Sequence, residues 1–209
     1  MQIPNHFREV TPLSAEDCFA INSRTKDEFN YPIHFHPEFE INFIENAKGA
    51  QRVVGDSVEE IDDLELCLIG NESMEHVWVN NKHQFKEIFE ITIHFHKDMF
   101  LGSLLNKNQF RSVAIMFENA KKGIVFSRET IEAVKDKLKS LCVKQSGFYS
   151  VLELLAILYE LSIDQNSRIL CSSAFNKQDD SSESVRVQRV IKYLHENYQN
   201  EIRLVDVAN

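Results

Sequence analysis

The first half of the chain alternates between apolar and polar residues with a period of two, which is typical of half-buried β-strands. The alternation is clearest over residues 33–44 and 85–96, where alternate positions are rich in phenylalanine and isoleucine. Glycine, asparagine and aspartate interrupt it repeatedly, as they do at tight turns. Many short strands separated by turns predict a β-sandwich or a β-barrel. The shorter strands are predicted over residues 51–54, 58–61, 64–69 and 76–79.

In the second half of the chain the period lengthens to about 3.6, which predicts helices. The first predicted helix follows Ser127, a residue type that often caps a helix N-terminus. The second spans residues 148–163, and its apolar residues cover more than half of its circumference. The apolar face of the first helix is formed by Ile131, Val134, Leu138 and Leu141.

The second predicted helix needs partners on more than one side, because a helix with one buried face carries a narrower apolar stripe. One side is expected to pack on the β domain. We predict that the other side joins a second copy of the chain into a homodimer; the alternative is a helix buried entirely within one chain. The candidate interface residues are Leu154, Leu155, Leu158 and Leu161.

A polar segment separates the C-terminal part of the chain from the rest. Residues 176–183 are dominated by aspartate, serine and other polar residues, a composition typical of a linker. Helical periodicity returns after them, and we expect the sequence to stop inside an incomplete helical unit. The predicted fold class is α+β. The predicted organisation is a β domain at 1–100, a helical segment at 101–175, a linker at 176–184 and the start of a further domain at 185–209.

The composition is that of an ordinary globular protein, with 43% hydrophobic and 26% charged residues among 209. The net charge of -9 argues against binding of a nucleic-acid backbone by this part of the protein alone, because such binding needs clustered lysine and arginine. We find no basic, apolar leader and no run of the roughly 18 apolar residues that span a bilayer, so we expect a cytoplasmic location. The four cysteines are far apart, which favours free thiols over disulfides.

The strongest chemical signal is a pair of histidines one residue apart, followed by a glutamate. On a strand, His34, His36 and Glu40 share one face, while the phenylalanines and isoleucines between them take the other. Imidazole nitrogens bind transition metals at about 2.0–2.1 Å, so the two histidines can hold one ion. Glu40 lies roughly 13 Å from His36 along a straight strand, so its participation requires a bend, for which Pro37 is the natural place. His76 is the candidate for a fourth ligand.

These residues resemble the two motifs of the cupin superfamily. The first motif, H-x-H followed by a glutamate, matches His34, His36 and Glu40, and the second matches His76 and Asn80. The sequence departs from the pattern in lacking the proline-glycine turn before the second histidine. The resemblance implies a cupin-like β-barrel, a double-stranded β-helix, in which a divalent metal could bind.

The order of further segments resembles the sensor half of AraC-type transcription regulators. Residues 68–70, 76–78 and 91–95 carry this resemblance, together with a connector at 120–126, and residues 187–208 are similar to the opening of the family's DNA-binding unit. The resemblance implies a barrel that binds a small effector, helices that dimerise and helix-turn-helix motifs that bind DNA. DNA is then a partner only through the C-terminal domain, and no membrane is involved.

Three functional hypotheses follow. In the first, the chain is the non-enzymatic sensing and dimerisation part of such a regulator, needs no cofactor, and binds a small effector, with a carbohydrate as one candidate. In the second, it is a metal-dependent cupin enzyme, an oxygenase or isomerase, with His34, His36, Glu40 and His76 as ligands. In the third, these polar residues are hydrogen-bonded inside a ligand-free scaffold. The candidate effector-binding residues are His34, His36, Glu40, His76 and Trp78.

Strand periodicity leaves the direction of some side chains open. His94 and His96 share a face with Glu90, and we favour an outward, solvated direction for it over a place in the barrel lining. Glu38, next to Pro37, is expected to be a solvent-facing turn residue. The phenylalanines that alternate with the histidines are expected in the core.

Overall fold

The computed structural model describes residues 7–100, 103–144 and 147–172, and all of them belong to one compact unit of the chain. Strands dominate before residue 96 and helices after it, so the predicted α+β class is confirmed. The linker predicted at 176–184 and the domain start predicted at 185–209 lie outside the described residues. Within the described ranges, no helix combines the length and apolarity needed to cross a membrane.

The larger of two sheets has six strands, and every neighbouring pair in it is antiparallel. The strand at its centre, β4 (Phe39–Glu45), is buried on both faces, so the polar side chains of Glu40 and Asn42 lie in the interior. In order across the sheet, the strands are β11 (Arg168–Ile169), β10 (Ile124–Val125), β7 (Leu64–Ile69), β4 (Phe39–Glu45), β9 (Ile88–Phe95) and β2 (Phe19–Lys26).

The smaller sheet has five strands, and only its β1–β3 pair is parallel. No backbone pairing joins the two sheets among the described strands, so the structure supports two mostly antiparallel sheets, and the cupin-like barrel, a double-stranded β-helix, stays a prediction. In order across the sheet, the strands are β1 (Phe7–Arg8), β3 (His34–Phe35), β8 (His76–Val79), β5 (Gln51–Val54) and β6 (Ser57–Glu60).

The helices cover one face of the larger sheet. Phe39, Ile41 and Phe43 of β4 point to this side, as strand periodicity predicted, and join a core cluster with helix residues such as Val134 and Leu158. Burial of these apolar side chains is the main force that holds the helices on the sheet. The helices are α1 (Arg111–Ala120), α2 (Arg128–Lys144) and α3 (Phe148–Ser162), preceded by three short 3-10 helices at 97–99, 104–106 and 108–110.

The opposite face of the larger sheet meets the smaller sheet. A second core cluster lies there, with Ile44 and Ile69 from the larger sheet and Val54 and Trp78 from the smaller one. The layers are therefore helices, larger sheet and smaller sheet. Polar residues of β4, β8 and β9 share the space between the sheets with this second cluster, and they form the candidate site.

Most predicted elements are present, and several short ones were missed. The predicted strands at 51–54, 64–69 and 76–79 coincide with β5, β7 and β8. Ser127 caps α2 as predicted, since its Oγ accepts a hydrogen bond from the Thr130 N–H at 3.3 Å. The predicted strand over 33–44 is broken in two by residues 36–38. The elements that were not predicted are β1, β2, β10, β11, α1 and the three 3-10 helices.

Candidate functional site

Two strand pairings bring the predicted residues together. In the smaller sheet His34 of β3 is the register partner of His76 of β8, and in the larger sheet Glu40 of β4 is the partner of His94 of β9. The sheets face each other, so both pairs lie around one point. All four side chains are buried, with at most 7% of each residue exposed.

The break between β3 and β4 completes the cluster. His36, Pro37 and Glu38 belong to neither strand, and the chain turns there from the smaller sheet to the larger one. His36 Nε2 consequently lies 2.9 Å from Glu40 Oε2, a separation that a straight strand does not allow. The expectation that a bend near Pro37 would bring Glu40 to the histidines is confirmed.

One carboxylate oxygen is the centre of the cluster. Glu40 Oε2 lies 2.9 Å from Nε2 of His36, 3.1 Å from Nε2 of His94 and 3.6 Å from Nε2 of His76. His34 is one step further out, and its ring centroid is 4.2 Å from that of His76. Three imidazoles from three different segments of the chain therefore converge on a single buried oxygen.

Backbone carbonyls fix the protonation of the two histidines of the smaller sheet. Nδ1 of His34 lies 2.9 Å from the Pro32 carbonyl oxygen, and Nδ1 of His76 lies 2.9 Å from that of Met74. A carbonyl oxygen only accepts hydrogen bonds, so each Nδ1 carries a proton and Nε2 is the nitrogen that faces the cluster. His76 Nε2 is buried and has no hydrogen-bond partner among the described residues.

Burial and charge act in opposite directions on this cluster. Burial favours the neutral form of Glu40, but hydrogen bonds from the surrounding imidazoles outweigh it and lower the pKa of this carboxyl well below its usual range. Burial likewise disfavours the charged form of His36, but its contact with Glu40 outweighs burial and raises the pKa of His36. For His34, burial and the neighbouring His76 lower the pKa to about 4. Glu40 is therefore an anion in the fold, and His34 is a neutral base at pH 7.

The cluster has the donor set and spacing of a transition-metal site. The ligand atoms of His34, His36, Glu40 and His76 all lie within 4.8 Å of one another. Ligands of a four-coordinate metal with bonds of about 2.1 Å lie about 3.4 Å apart, and the separations from Glu40 Oε2 quoted above are of this size. The unpartnered Nε2 of His76 and the carbonyl contacts at Nδ1 also fit, because metal-binding histidines commonly donate their other N–H to such an acceptor.

A cavity of about 110 Å³ lies beside the cluster, between the two sheets. Asn42 is 4% exposed, and its Nδ2 donates to Glu40 Oε1 at 3.3 Å. This contact fixes the orientation of the amide, because the opposite orientation would place two oxygens against each other. Asn42 Oδ1 is left buried and unpartnered within the described part of the chain. The inner wall of the cavity is formed in part by Tyr31, His34, Glu40, Asn42, Trp78 and His94.

The charges at the outer part of the cavity are largely paired. Glu90 lies 2.5 Å from Arg24 and 2.9 Å from Lys26. This one buried carboxylate therefore forms ion pairs with both cationic side chains of the cavity wall. Glu9 lies 3.2 Å from His34 Nε2, and Glu40 is shared among the imidazoles. The cavity therefore presents mainly hydrogen-bond acceptors and negative charge to an occupant.

Trp78 has two roles in the structure. Its ring belongs to the core between the sheets and to the cavity wall, and its Nε1–H donates to Glu65 Oε1 at 3.2 Å. The residue is thus both a core residue and part of the wall that faces a cavity occupant.

Two expectations about side-chain direction are corrected. His94 points inward to Glu40 rather than outward. The helices pack on the face of β9 that carries its isoleucines and phenylalanines, so the face that carries His94 meets the smaller sheet. The side chain of His96, beyond the end of β9, is 41% exposed. Glu38 is not solvent-facing either: its side chain is 11% exposed and its Oε2 lies 3.5 Å from His36 Nδ1. Periodicity places Glu90 and His94 on one face of β9, but it does not say whether that face points inward or to solvent.

The predicted interface leucines are also corrected. Leu154, Leu158 and Leu161 are at most 1% exposed within the single chain, and Leu155 packs against the same core. These side chains have little or no surface left for a second chain, because the face of α3 that carries them packs against α1 and α2. The exposed apolar residues of this helix region are Phe148, Tyr149, Leu152, Tyr159 and Ile163.

Comparison with known proteins gives a coarse likeness only. No family model and no curated protein matches the chain. A 1.65 Å structure of ToxT from Vibrio cholerae, an AraC-family regulator, has 12% identity, a TM-score of 0.39 and coverage of 92% of this chain and 70% of its own. A structure of ToxT from V. cholerae O395 has 11% identity, a TM-score of 0.42 and coverage of 91% and 68%. Wild-type ToxT of strain SCE256 with a bound unsaturated fatty acid has 11% identity, a TM-score of 0.29 and coverage of 91% and 67%. A likeness of this size assigns neither family nor function.

Proposed function

We propose that residues 7–172 form the ligand-sensing part of an AraC-type transcription regulator and that a small polar ligand binds in the cavity between the two sheets. The observation that carries ligand binding is the buried, unpartnered Asn42 Oδ1 in the wall of a cavity that also presents Glu40 and Trp78. A buried acceptor without a donor costs about 1–3 kcal/mol. A ligand that donates a hydrogen bond recovers this free energy. The order of sequence motifs supports the regulator part of the proposal.

The size of the cavity limits the ligand. An enclosed apolar cavity of about 150 Å³ accommodates benzene, so about 110 Å³ holds a molecule of a few heavy atoms unless the sheets separate. A fatty acid with a long hydrocarbon chain is too long and too apolar for this space, although an unsaturated fatty acid is named in a structure of ToxT. Hydroxyl or amino groups would satisfy Asn42 and the carboxylates, so a polyol, a small sugar or a urea-like molecule fits best.

Thermal stability in the presence of candidate ligands tests this proposal. A panel containing arabinose, glycerol, urea, acetate and oleate should include at least one small polar compound that raises the melting temperature, because a ligand that binds only the folded state stabilises it. Asn42→Leu should abolish this shift, whereas Asn108→Leu, at an exposed asparagine outside the cavity wall, should keep it. A shift with oleate alone, or none with any compound, would contradict the proposal.

A metal-dependent site is the second candidate, favoured by the convergence of Nε2 atoms on Glu40. His34, His36, Glu40 and His76 would hold the ion, and a divalent transition metal bound there would act as a Lewis acid toward an oxygen of a cavity ligand. The chain itself would orient the ligand through Asn42 and exclude water through the burial of the cluster. A metal-dependent sensor and a metal-dependent enzyme both fit this arrangement.

Elemental analysis distinguishes the metal candidate from the metal-free one. If the site is a metal site, protein purified without added metal should carry a stoichiometric ion, or should gain several degrees of melting temperature when Zn²⁺, Mn²⁺ or Fe²⁺ is added. His36→Ala should lose the ion, and His83→Ala, at an exposed histidine, should retain it. Absence of both stoichiometric metal and any thermal shift would exclude this candidate.

We further propose that the chain forms a homodimer through the exposed apolar face of α3. Tyr149, Leu152 and Tyr159 are 82%, 42% and 50% exposed. Their spacing of three and seven residues places them on one face of the helix. DNA binding is proposed only for the part of the chain after residue 184, which lies beyond the described residues.

A further inference from the structure

A chain of polar contacts runs from the cavity wall across the domain to its surface. Trp78 Nε1 donates to Glu65 Oε1 at 3.2 Å, and Glu65 Oε2 accepts from Arg52 Nη1 at 2.9 Å. Arg52 Nη2 donates to Glu59 Oε2 at 2.5 Å, and Glu59 accepts both ends of the Arg168 guanidinium at 3.0 and 3.2 Å. Four hydrogen-bonded steps therefore join a cavity residue to β11, the last described strand before the predicted linker.

The two charged residues in the middle of this chain of contacts, Arg52 and Glu65, are deeply buried. Arg52 is 1% exposed and Glu65 is 5% exposed. A buried charge without its partner is unfavourable, so a shift of Arg52 toward one of its two carboxylates changes what the other carboxylate must bind. Desolvation raises the pKa of Glu65 despite the charge of Arg52 beside it, which shows how strongly this carboxylate depends on its two donors, Arg52 and Trp78.

Arg52 also has one unused donor. Its Nε is buried and has no hydrogen-bond partner in the part of the chain that the structure describes. Nε lies on the same edge of the guanidinium as Nη2, which is the nitrogen that holds Glu59. Glu59 can thus bind Arg52 in two ways: through Nη2 alone while it is shared with Arg168, as observed, or through both Nη2 and Nε after Arg168 withdraws. The second arrangement is the bidentate one that arginine and carboxylate favour.

We propose that Arg52 couples the cavity wall to Arg168 of β11. A stronger contact of Arg52 with Glu59 weakens its contact with Glu65, and a stronger contact with Glu65 weakens its contact with Glu59. When Arg168 leaves Glu59, Glu59 pairs bidentately with Arg52 and draws it away from Glu65. Glu65 then relies more on the Trp78 N–H. In the reverse direction, a ligand that pulls the Trp78 indole from Glu65 leaves Arg52 as the main partner of Glu65 and strengthens the Glu59–Arg168 contact.

This coupling deepens the proposed sensing function, because it links the state of the cavity wall to Arg168 on β11, and residues 173–209 follow that strand. Two arrangements of Glu59 supply the two-state element that a coupling of this kind requires. The exposed Arg168 side chain, at 61%, leaves the outer end of the chain free to respond.

The intrinsic fluorescence of the full chain tests the coupling directly, since Trp78 is the sole tryptophan. Excitation moves electron density out of the pyrrole ring of indole, so a carboxylate that approaches Nε1–H shifts the emission to longer wavelength. Arg168→Gln should therefore shift the Trp78 emission to longer wavelength. Glu59→Gln should shift it to shorter wavelength, because Arg52 then turns to Glu65 alone.

Arg111→Gln is the matched control. Arg111 is another exposed arginine, at the start of α1, and it lines a different cleft from the one that Arg52, Glu59, Glu65 and Arg168 share. Its substitution should leave the emission unchanged. The coupling is overturned if Arg168→Gln and Glu59→Gln, both folded by circular dichroism, emit at the wild-type wavelength, or if both shift it in the same direction. Because no ligand is added, an inert cavity would contradict the sensing function without affecting this result.

Discussion

Leu158→Glu is expected to unfold the domain. Leu158 is fully buried in the cluster that joins α3 to α2 and the larger sheet. Removing a buried leucine side chain costs about 2–5 kcal/mol, and a carboxylate placed there without a partner adds several more. The sum approaches or exceeds the roughly 5–15 kcal/mol that stabilise a typical domain. Circular dichroism during urea titration should show either no cooperative transition or one displaced to much lower urea concentration.

Tyr159→Glu is the control, one residue along the same helix. Tyr159 is 50% exposed, so its replacement leaves the core intact and should change the urea midpoint little. It also tests the proposed dimer face. If a second copy covers this side of α3, light scattering should show a dimer for the wild-type chain and a monomer for Tyr159→Glu. A folded, monomeric Leu158→Glu variant would instead show that the buried leucines form the interface after all.

Strand periodicity predicted one half of this core with good accuracy. Alternation placed Phe39 and Phe43 opposite Glu40, and the structure puts them against the helices as expected. The same rule could not say which face of β9 turns inward, because β9 lies between β4 and β2 and has buried residues on both faces. Its polar face holds His94, which contacts Glu40 between the sheets. His94 points inward because the smaller sheet packs on that face of β9, and the sequence of β9 alone does not indicate this packing.

The missed elements lack the local signals on which sequence reasoning depends. β2 is an edge strand whose second half is polar and exposed. Arg24 and Lys26 of β2 form ion pairs with Glu90 on the neighbouring strand β9. No apolar pattern in the sequence indicates these contacts. β10 and β11 have two residues each, too few for any periodicity. The contacts of Arg52 with Glu59 and Glu65 connect three strands, and no spacing along the sequence indicates them.

Glu40→Leu is expected to have the second large effect, on both stability and binding. Glu40 is the common partner of His36 and His94, and leucine leaves these imidazoles buried without their acceptor. Breaking a buried charged contact costs about 3–5 kcal/mol. The loss of stability is smaller than this when His36 releases its proton in the variant. Its pKa is raised by Glu40, so the neutral imidazole is favoured once Glu40 is removed. We expect the unfolding free energy at pH 7 to fall by about 3 kcal/mol, measured by urea denaturation.

Two companion variants separate charge from shape at this position. Glu40→Gln keeps the size of the side chain and offers one donor and one acceptor, so it should lose about half as much stability as Glu40→Leu. Glu72→Gln, at an exposed glutamate, should lose none. Both Glu40 variants should abolish any thermal shift produced by Zn²⁺, because each removes the one anionic ligand of the cluster. If Glu40→Leu were instead as stable as the wild-type chain, the imidazoles would not depend on this carboxylate. The cluster would then be held by the carbonyl contacts of His34 and His76 alone.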